Sequence, residues 1–581
     1  MVTDDVIALL EEIAGLLELS GAPAVQVRAY RKAAGQLDIL EDDEFTDLVQ
    51  KHHLKRISGI GAVIAGHIYS FVREGQLPFY DQLVNDVPPG LVEMLRLRGL
   101  PPRAIRRLHN ELGISTIGEL EYACHENRLA RIPKFGEQRQ QAILSAIRAY
   151  KKTLGHYLYP LARGQAETLA ETLEDIPEVL KVQVVGSLRR GCEVVLDADL
   201  LVTAQDIDTA RSEIKRCPHF RYIQEQDPLR LLGASRSGLP IEVFLCQPHN
   251  EANALLQVTG SGEFVGRLYD FARRKGVDLS YGGTTKRKHN KAIYVQNEED
   301  IFRLIGLPYI IPEQREEPDI IQRVRQKRHK THIREQDIRG VLHVHTTWSD
   351  GSGDLEAMVH TARRLGLGYI GITDHSQSAW YAKGLKPEQV LEQGQAIESL
   401  QQTLDDIHIL KGIESDILTD GALDYGPDIL QQLDYAIASI HVPLKLNADA
   451  MTKRVITAIA NPHTRMLAHP TGRLLLARQG YPINIPEVLE ACARHNVAIE
   501  INSHPQRLDL DWRWGPLVRE LNVPVVINSD VHSVRALSFY QYGVMVARKM
   551  ELSPDQVINT WPIEELRTWL ARGRPENRDN S

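Results

Sequence analysis

The sequence predicts a multidomain protein of mixed class, α+β through its first half and α/β in its last third. There, seven parallel strands would close into a TIM-like barrel. Three observations predict it. From residue 1 to about residue 150, apolar residues fall at helical spacing and strand-like alternation is missing. From about 155 to 247 the pattern turns mixed. From 338 onward, apolar runs ending near His345, His375, Glu414, His441, His469, His504 and His532 alternate with helical stretches.

Bulk properties bound the reading before any motif does. The 581 residues are enough for about four domains. The 43% hydrophobic and 25% charged shares are those of a globular protein, and no apolar stretch approaches the ~20 residues that span a bilayer. Five scattered cysteines without a C-x-x-C pair, and an acidic start (Met1-Val2-Thr3-Asp4-Asp5), imply reduced thiols and a cytoplasmic protein. Net charge is −8, yet three basic stretches stand out. One is Arg96, Arg98, Arg103, Arg106 and Arg107; a second is Lys286, Arg287, Lys288 and Lys291; the third runs from Arg323 through Arg325, Lys327, Arg328 and Lys330 to Arg334. Basic runs on an acidic chain point to a polyanionic partner.

In chain order, Val6, Ile7, Leu9, Leu10, Ile13, Leu16 and Leu17 mark the first helix. Residues 57–65 then read as an apolar helix entered through a hairpin carrying Gly59 and Gly61. Such a turn presents backbone N–H groups at a helix start, where a DNA phosphate can dock without its sequence being read. Two weaker echoes follow, Leu97-Arg98-Gly99-Leu100-Pro101-Pro102 and Ile132-Pro133-Lys134-Phe135-Gly136. The expected boundaries are a helical DNA-binding domain with its helix-hairpin-helix over 1–78 and a second hairpin domain over 79–153.

Strands are predicted at 182–185, 194–202 and 241–245 within a domain of 154–247. Gly186-Ser187-Leu188-Arg189-Arg190-Gly191 precedes Asp197-Ala198-Asp199. Two aspartates at i and i+2 on a strand share a face and can chelate paired Mg²⁺ or Mn²⁺ ions, while Gly186, Ser187 and Arg190 can hold a triphosphate. This is the equipment of a nucleotidyltransferase palm. Helices return over 248–315 with a short β segment near 292–295. The proline- and charge-rich stretch 312–336 reads as a linker, drawn as a boundary at 316–337.

The barrel spans 338–575. Its strand ends deliver His343, His345, Asp350, His375, Glu414, His441, His469, Asp530 and His532. Residues i and i+2 of a strand face one side, so His343 with His345, and Asp530 with His532, can each offer two ligands to one pocket. Imidazole mixed with carboxylate suits Zn²⁺ or Mn²⁺ and the cutting of phosphate esters.

These residues also resemble a known family. His343-x-His345, Thr373-Asp374-His375-Ser376, the run through Glu414, His469-Pro-Thr-Gly-Arg and Asp530-Val-His532 are similar to the PHP (polymerase and histidinol phosphatase) domain. The resemblance implies up to three metal ions held by the nine residues named above, with Arg473 and Arg507 as phosphate clamps. Upstream, the order of helical domain, hairpin domain, palm, thumb (248–315) and PHP domain resembles bacterial PolX, a group of the X-family DNA polymerases. That implies a DNA repair enzyme taking gapped DNA or a free 3′ end, and dNTPs, as a monomer.

The resemblance implies Glu242 as the third palm carboxylate, at a position where the family carries aspartate. Gln257-Val258 replaces an aromatic pair, and His67 and Val63 occupy positions that carry lysine in lyase-active relatives. A polymerase weakened at Glu242 and a 3′–5′ exonuclease in the PHP domain are therefore expected. A palm serving only as a DNA platform, and a small-molecule phosphoesterase of the histidinol-phosphatase type, are the alternatives.

Overall fold

The structure, a computed structural model, describes residues 2–125, 129, 135–289, 291–317, 319–326, 332–441, 446–476 and 479–572. It divides into two compact units, Met1–Leu154 with Ser533–Arg535, and Gly155–His532 with Ala536–Ser581.

The first unit is helical, as expected. Its described residues form α1 (Val2–Ser20), α2 (Ala24–Leu37), α3 (Asp42–Gln50), α4 (Ala62–Glu74), α5 (Pro78–Asp86), α6 (Pro89–Met94), α7 (Pro102–Leu112), α8 (Ile117–His125) and α9 (Gly136–Thr153). The stripe Val6, Leu10, Ile13 and Leu17 is fully buried against Val27, Tyr30, Ala34 and Leu37 of α2. Gly75 and Gly113 close α4 and α7 in the left-handed region, where a side chain would be strained. Residues 132–134 of the second hairpin echo, and Lys327, Arg328 and Lys330 of the third basic run, lie outside the described residues.

The second unit opens with β1 (Tyr157–Leu158), β2 (Val179–Val185), β3 (Val194–Val195), β4 (Ala198–Ala204), β5 (Phe220–Asp227), β6 (Arg230–Ser235) and β7 (Pro240–Cys246). Five of these make a sheet in the order β2-β4-β7-β6-β5, with β4 and β7 parallel. The strand expected over 194–202 is broken in two. Its start pairs with β1 in a separate two-stranded ribbon and its end enters the main sheet, so the chain turns at Leu196-Asp197. The β5–β6 hairpin was not foreseen, because β5 is an edge strand whose residues are mostly exposed and polar. A three-stranded antiparallel sheet follows, of β8 (Val277–Ser280), β9 (Gly283–Lys286) and β10 (Lys291–Ile293).

The expected linker is corrected in its described part. Pro312–Gln314 forms a turn and Ile320–Arg325 a helix. Arg315 is fully buried, pairing with Glu298 at 2.7 Å and lying against the rings of Phe264, Phe302 and Tyr309. A buried acid and aromatic faces compensate the guanidinium, so a charge-rich stretch becomes part of a core.

The barrel comprises β11 (Gly340–Val344), β12 (Tyr369–Ile372), β13 (His408–Asp416), β14 (Tyr435–Ser439), β15 (Thr464–Leu467), β16 (Ala498–Asn502) and β17 (Val525–Asn528). All are parallel and ordered as in the sequence. Backbone N–H hydrogen bonds from His345 to the Val531 carbonyl (2.8 Å) and from Val531 to the His343 carbonyl (3.1 Å) bring the first strand's end to the last. Tyr435 fills the interior and donates its hydroxyl to the Leu342 carbonyl at 2.8 Å. Only glycine fits opposite it, since a Cβ at Gly371 would lie 1.9 Å from that hydroxyl.

Barrel and palm interlock within this unit. Lys549 donates to the Arg190 carbonyl (3.0 Å), Arg473 pairs with Glu193 (2.5 Å), and a Cβ at Gly191 would lie 2.6 Å from Met545. Among the described residues no helix is long and apolar enough to cross a membrane.

Candidate active sites

In a parallel barrel the loops after the strands share one rim, so side chains leaving seven strand ends converge there. Glu414, near the end of β13, occupies the centre and is fully buried. Its carboxylate oxygens face five imidazoles: His375 Nδ1 at 2.8 Å, His469 Nε2 at 3.1 Å, and His343, His345 and His441 Nε2 at 3.5 Å. Asp530 approaches His345 Nε2 at 3.0 Å and His343 Nε2 at 3.5 Å. Asp350, on the loop after β11, lies 3.3 Å from His532 and 3.6 Å from His375.

Eight of the nine expected ligands thereby form three overlapping groups that could hold metal ions. They are His345, Asp350, His375 and His532; His343, His345, Glu414 and Asp530; and His375, Glu414 and His441. His469 joins through Glu414. Asp530 adopts φ +54°, a costly backbone for a non-glycine residue that aims its carboxylate inward.

The electrostatics are those of a site built around cations. Burial alone would raise the Glu414 carboxyl, but His441, His375 and His343 override it and hold it well below the usual range. Burial, then His532 and His375, drive the His345 imidazole down to about 3. Among the described residues, buried His343 Nε2, His345 Nε2, Glu414 Oε2 and Asp530 Oδ1 carry no hydrogen bond of acceptable geometry, although each lies at ion-pair distance from another of them. Orphaned lone pairs converging on one space are what a metal centre requires, and the donor set fits such ions.

Residues outside the expected set hold these ligands. His343 Nδ1 meets Glu500 (2.8 Å), whose other oxygen accepts the His469 amide (2.7 Å). His441 Nδ1 meets Asp416 (2.7 Å). Asp374 accepts from the Thr346 amide (2.8 Å) and the Ser349 hydroxyl (2.5 Å), fixing the loop that carries Asp350. Sequence reasoning missed Glu500 and Asp416 as partners because neither is followed by a turn of the kind that marked the ligands. An acid inside a buried apolar strand was the signal available. Arg507 Nη2 stands 3.6 Å from Asp530. Arg473 does not stand free as a clamp: Glu193, Asp511 and the carbonyls of Arg507 and Leu508 occupy its guanidinium.

In the palm, β4 and β7 run parallel with Asp199 and Glu242 in register. Gly186 (φ +59°) lets the turn pass so close that a Cβ would fall 1.7 Å from Asp199 Oδ2. Burial, then Asp197 and Glu242, push the Asp199 carboxyl up to about 7. Glu242 is in close ion contact with Arg230. Among the described residues, Ser187 Oγ is buried without a hydrogen-bond partner. Arg190 is held by Glu316 and by the Thr259 carbonyl, each at 2.5 Å.

In the first unit, Gly61 caps α4 without a side-chain bond and Gly59 sits at φ +99°, so the hairpin presents backbone to its surroundings. His67 stacks on Phe79 (4.6 Å between ring centres) and meets the Tyr30 hydroxyl at 2.8 Å, a packed imidazole rather than an amine nucleophile.

Comparison with known proteins places this architecture. Family models match a helix-hairpin-helix domain over residues 1–77, a DNA polymerase beta thumb over 254–316 and a PHP domain over 342–504. A "Probable phosphatase" of Shewanella sediminis is 28% identical over 249 residues, covering 40% of this chain and 92% of that protein. The "Probable phosphatase YcdX" of Escherichia fergusonii is 26% identical over 248 residues, covering 40% and 94%. The "DNA polymerase/3′-5′ exonuclease PolX" of Bacillus subtilis is 31% identical over 570 residues, 98% of this chain and 99% of that protein. A match of that extent, carried by hairpin, thumb and PHP segments in one order, makes this chain a member of the PolX family.

Proposed function

We propose that this chain is a DNA repair enzyme whose barrel mouth is a metal-dependent 3′–5′ exonuclease and phosphoesterase, joined to a DNA-directed DNA polymerase core that fills gaps. The observation that carries the reading is Glu414, one buried carboxylate ringed by five imidazoles with unbonded lone pairs between them. Glu414 and the eight other ligands named above would hold up to three Mn²⁺ or Zn²⁺ ions, which would supply a hydroxide at neutral pH and offset charge on the leaving oxygen.

The chain's own residues do the rest. His343 and His441 each donate an Nδ1–H to an acid, Glu500 and Asp416, which leaves the Nε2 lone pair aimed inward. Asp350 and His532 are the partly exposed members, 34% and 39%, so a strand end would enter on their side. Arg507, beside Asp530 at the same rim, would bind a phosphate oxygen.

In the palm, Asp197 and Asp199 would hold Mg²⁺ or Mn²⁺, and the Gly186-Ser187 turn with the unbonded Ser187 hydroxyl would receive the triphosphate. Glu242 would take the proton of the primer 3′-hydroxyl. Arg230 holds Glu242, and Glu316 holds Arg190, so nucleotide addition would be slow. The same two contacts favour a second reading, in which the palm only positions DNA. The hairpin at Gly59 and Gly61 would bind strand phosphates.

One experiment separates the readings. A gapped duplex with a labelled primer is offered with Mn²⁺, with and without dNTPs, to the wild type, to Asp197→Ala/Asp199→Ala and to His343→Ala/His345→Ala. Extension lost only in the aspartate variant, with shortening lost only in the histidine variant, supports the bifunctional enzyme. Shortening without extension in the wild type supports the platform. Absence of both activities overturns both readings.

A further inference from the structure

A second feature of the first unit has no part in either site. The end of α1 packs against both α2 and α7, and between them lies a cleft of about 400 Å³. Its walls carry Arg28 and Arg31 from α2 and Arg103, Arg106 and Arg107 from α7. On each helix the spacing of three or four residues puts these side chains on one face.

Two acids line the cleft, and both are engaged. Glu18 takes Arg31 (2.7 Å) and Arg103 (2.5 Å), and Glu111 takes Arg107 (2.5 Å). Among the described residues, neither Arg28 nor Arg106 has an acidic partner. Five guanidiniums against two carboxylates leave a concave, cationic surface, which attracts anions more strongly than a convex one.

Arg106 is seated there by the backbone. Gly21, at φ +85° in the turn between α1 and α2, lies directly under its guanidinium, and a Cβ would fall 2.5 Å from Nη2. The apolar lining is small, with Ala22, Ala24 and Val27, and no aromatic ring faces the cleft. Bases stack on aromatic rings and are read by directed polar groups, whereas guanidinium groups take phosphate oxygens in pairs.

We propose that this cleft is a phosphodiester-binding groove that holds a DNA strand by its backbone, independently of base sequence and apart from the hairpin at Gly59 and Gly61. The proposal rests on the chain acting on DNA.

The test uses the full chain in EDTA, so that nothing is digested, with a fluorescein-labelled gapped duplex titrated by anisotropy across 50–250 mM KCl. Each phosphate contact contributes about 0.9 to the slope of log affinity against log salt. Arg28→Ala/Arg106→Ala should therefore flatten the slope by about 2 units. Gly21→Ala, which keeps every arginine but unseats one, should flatten it by about 1 unit. Arg73→Ala, an exposed cation of the same unit paired with its neighbour Glu74, should change nothing.

An unchanged slope in the double variant, with its melting temperature intact, overturns the groove. So does competition by poly-glutamate as effective as that by unlabelled duplex, which would make the partner an acidic protein. A wild type that shows no salt-dependent affinity for the duplex would instead sink the DNA reading itself.

Discussion

Glu242 is a residue at which one methylene would bear on the proposed activity. It lies in register with Asp199 across two parallel strands, and its extra length reaches Arg230. An aspartate there would withdraw from the guanidinium and stand level with Asp199. Glu242→Asp is expected to speed single-turnover nucleotide insertion by at least about tenfold, since misplacement by an ångström costs about a hundredfold. An unchanged rate would show that something other than this carboxylate limits the palm. Glu500 acts at the same scale by holding the His343 imidazole and the backbone amide of His469. Glu500→Gln should weaken Mn²⁺ binding about 10–100-fold by calorimetric titration, with the circular dichroism of the barrel unchanged.

At the scale of elements, the segment beyond β10 is stabilised by a buried charge cluster. Glu298, at the start of the helix Glu298–Leu304, sits between Arg315 (2.7 Å) and Arg189 (2.6 Å). Burial alone would raise its carboxyl; the two guanidiniums override that and hold it at about 2. A depressed folded value means stability that is complete above the ordinary 4.5 and lost as pH falls toward about 2. Glu298→Gln should cost about 3 kcal/mol at pH 7 in denaturant melts, because it strands a buried Arg315. The gap to wild type should shrink as pH falls through that window, and a gap indifferent to pH would mean that packing, not charge, is what the variant removes.

Legibility in the sequence also varied by element. The barrel strands could be read because strands covered on both faces are short apolar runs, each here with a ligand-type residue at or beside its end. The β5–β6 hairpin could not, since an exposed edge strand such as Phe220–Asp227 turns only Phe220 and Ile223 to the core and shows no regular apolar alternation. The stretch around Arg315 looked solvated because its compensating acid is 17 residues away. The motif around Arg190 suggests a nucleotide ligand, but nothing local in the sequence signals its capture by Glu316, 126 residues on.

For the whole molecule, the proposed metal centre would be a determinant of stability as well as chemistry. Stripping cations from the barrel would leave Glu414, Asp530 and their imidazoles facing one another in a buried space. Ions bound at a hundred times their dissociation constant add about 2.7 kcal/mol. Chelation should therefore lower the barrel's melting temperature by roughly 5–10 °C, and Mn²⁺ should restore it. A melting curve insensitive to chelator would mean that the fold does not need its ions.

The contacts of Lys549, Arg473 and Met545 with the palm bear on how this enzyme can be taken apart. Cutting the gene before β11 would strip Arg473 of Glu193, uncover the thioether that lies beneath Gly191, and leave an ammonium that is only 2% accessible without its carbonyl acceptor. A fragment starting at residue 338 should express less soluble protein than the full chain and melt several degrees lower. Transplanting this nuclease onto another polymerase would then require carrying the Arg190–Glu193 corner along as a graft.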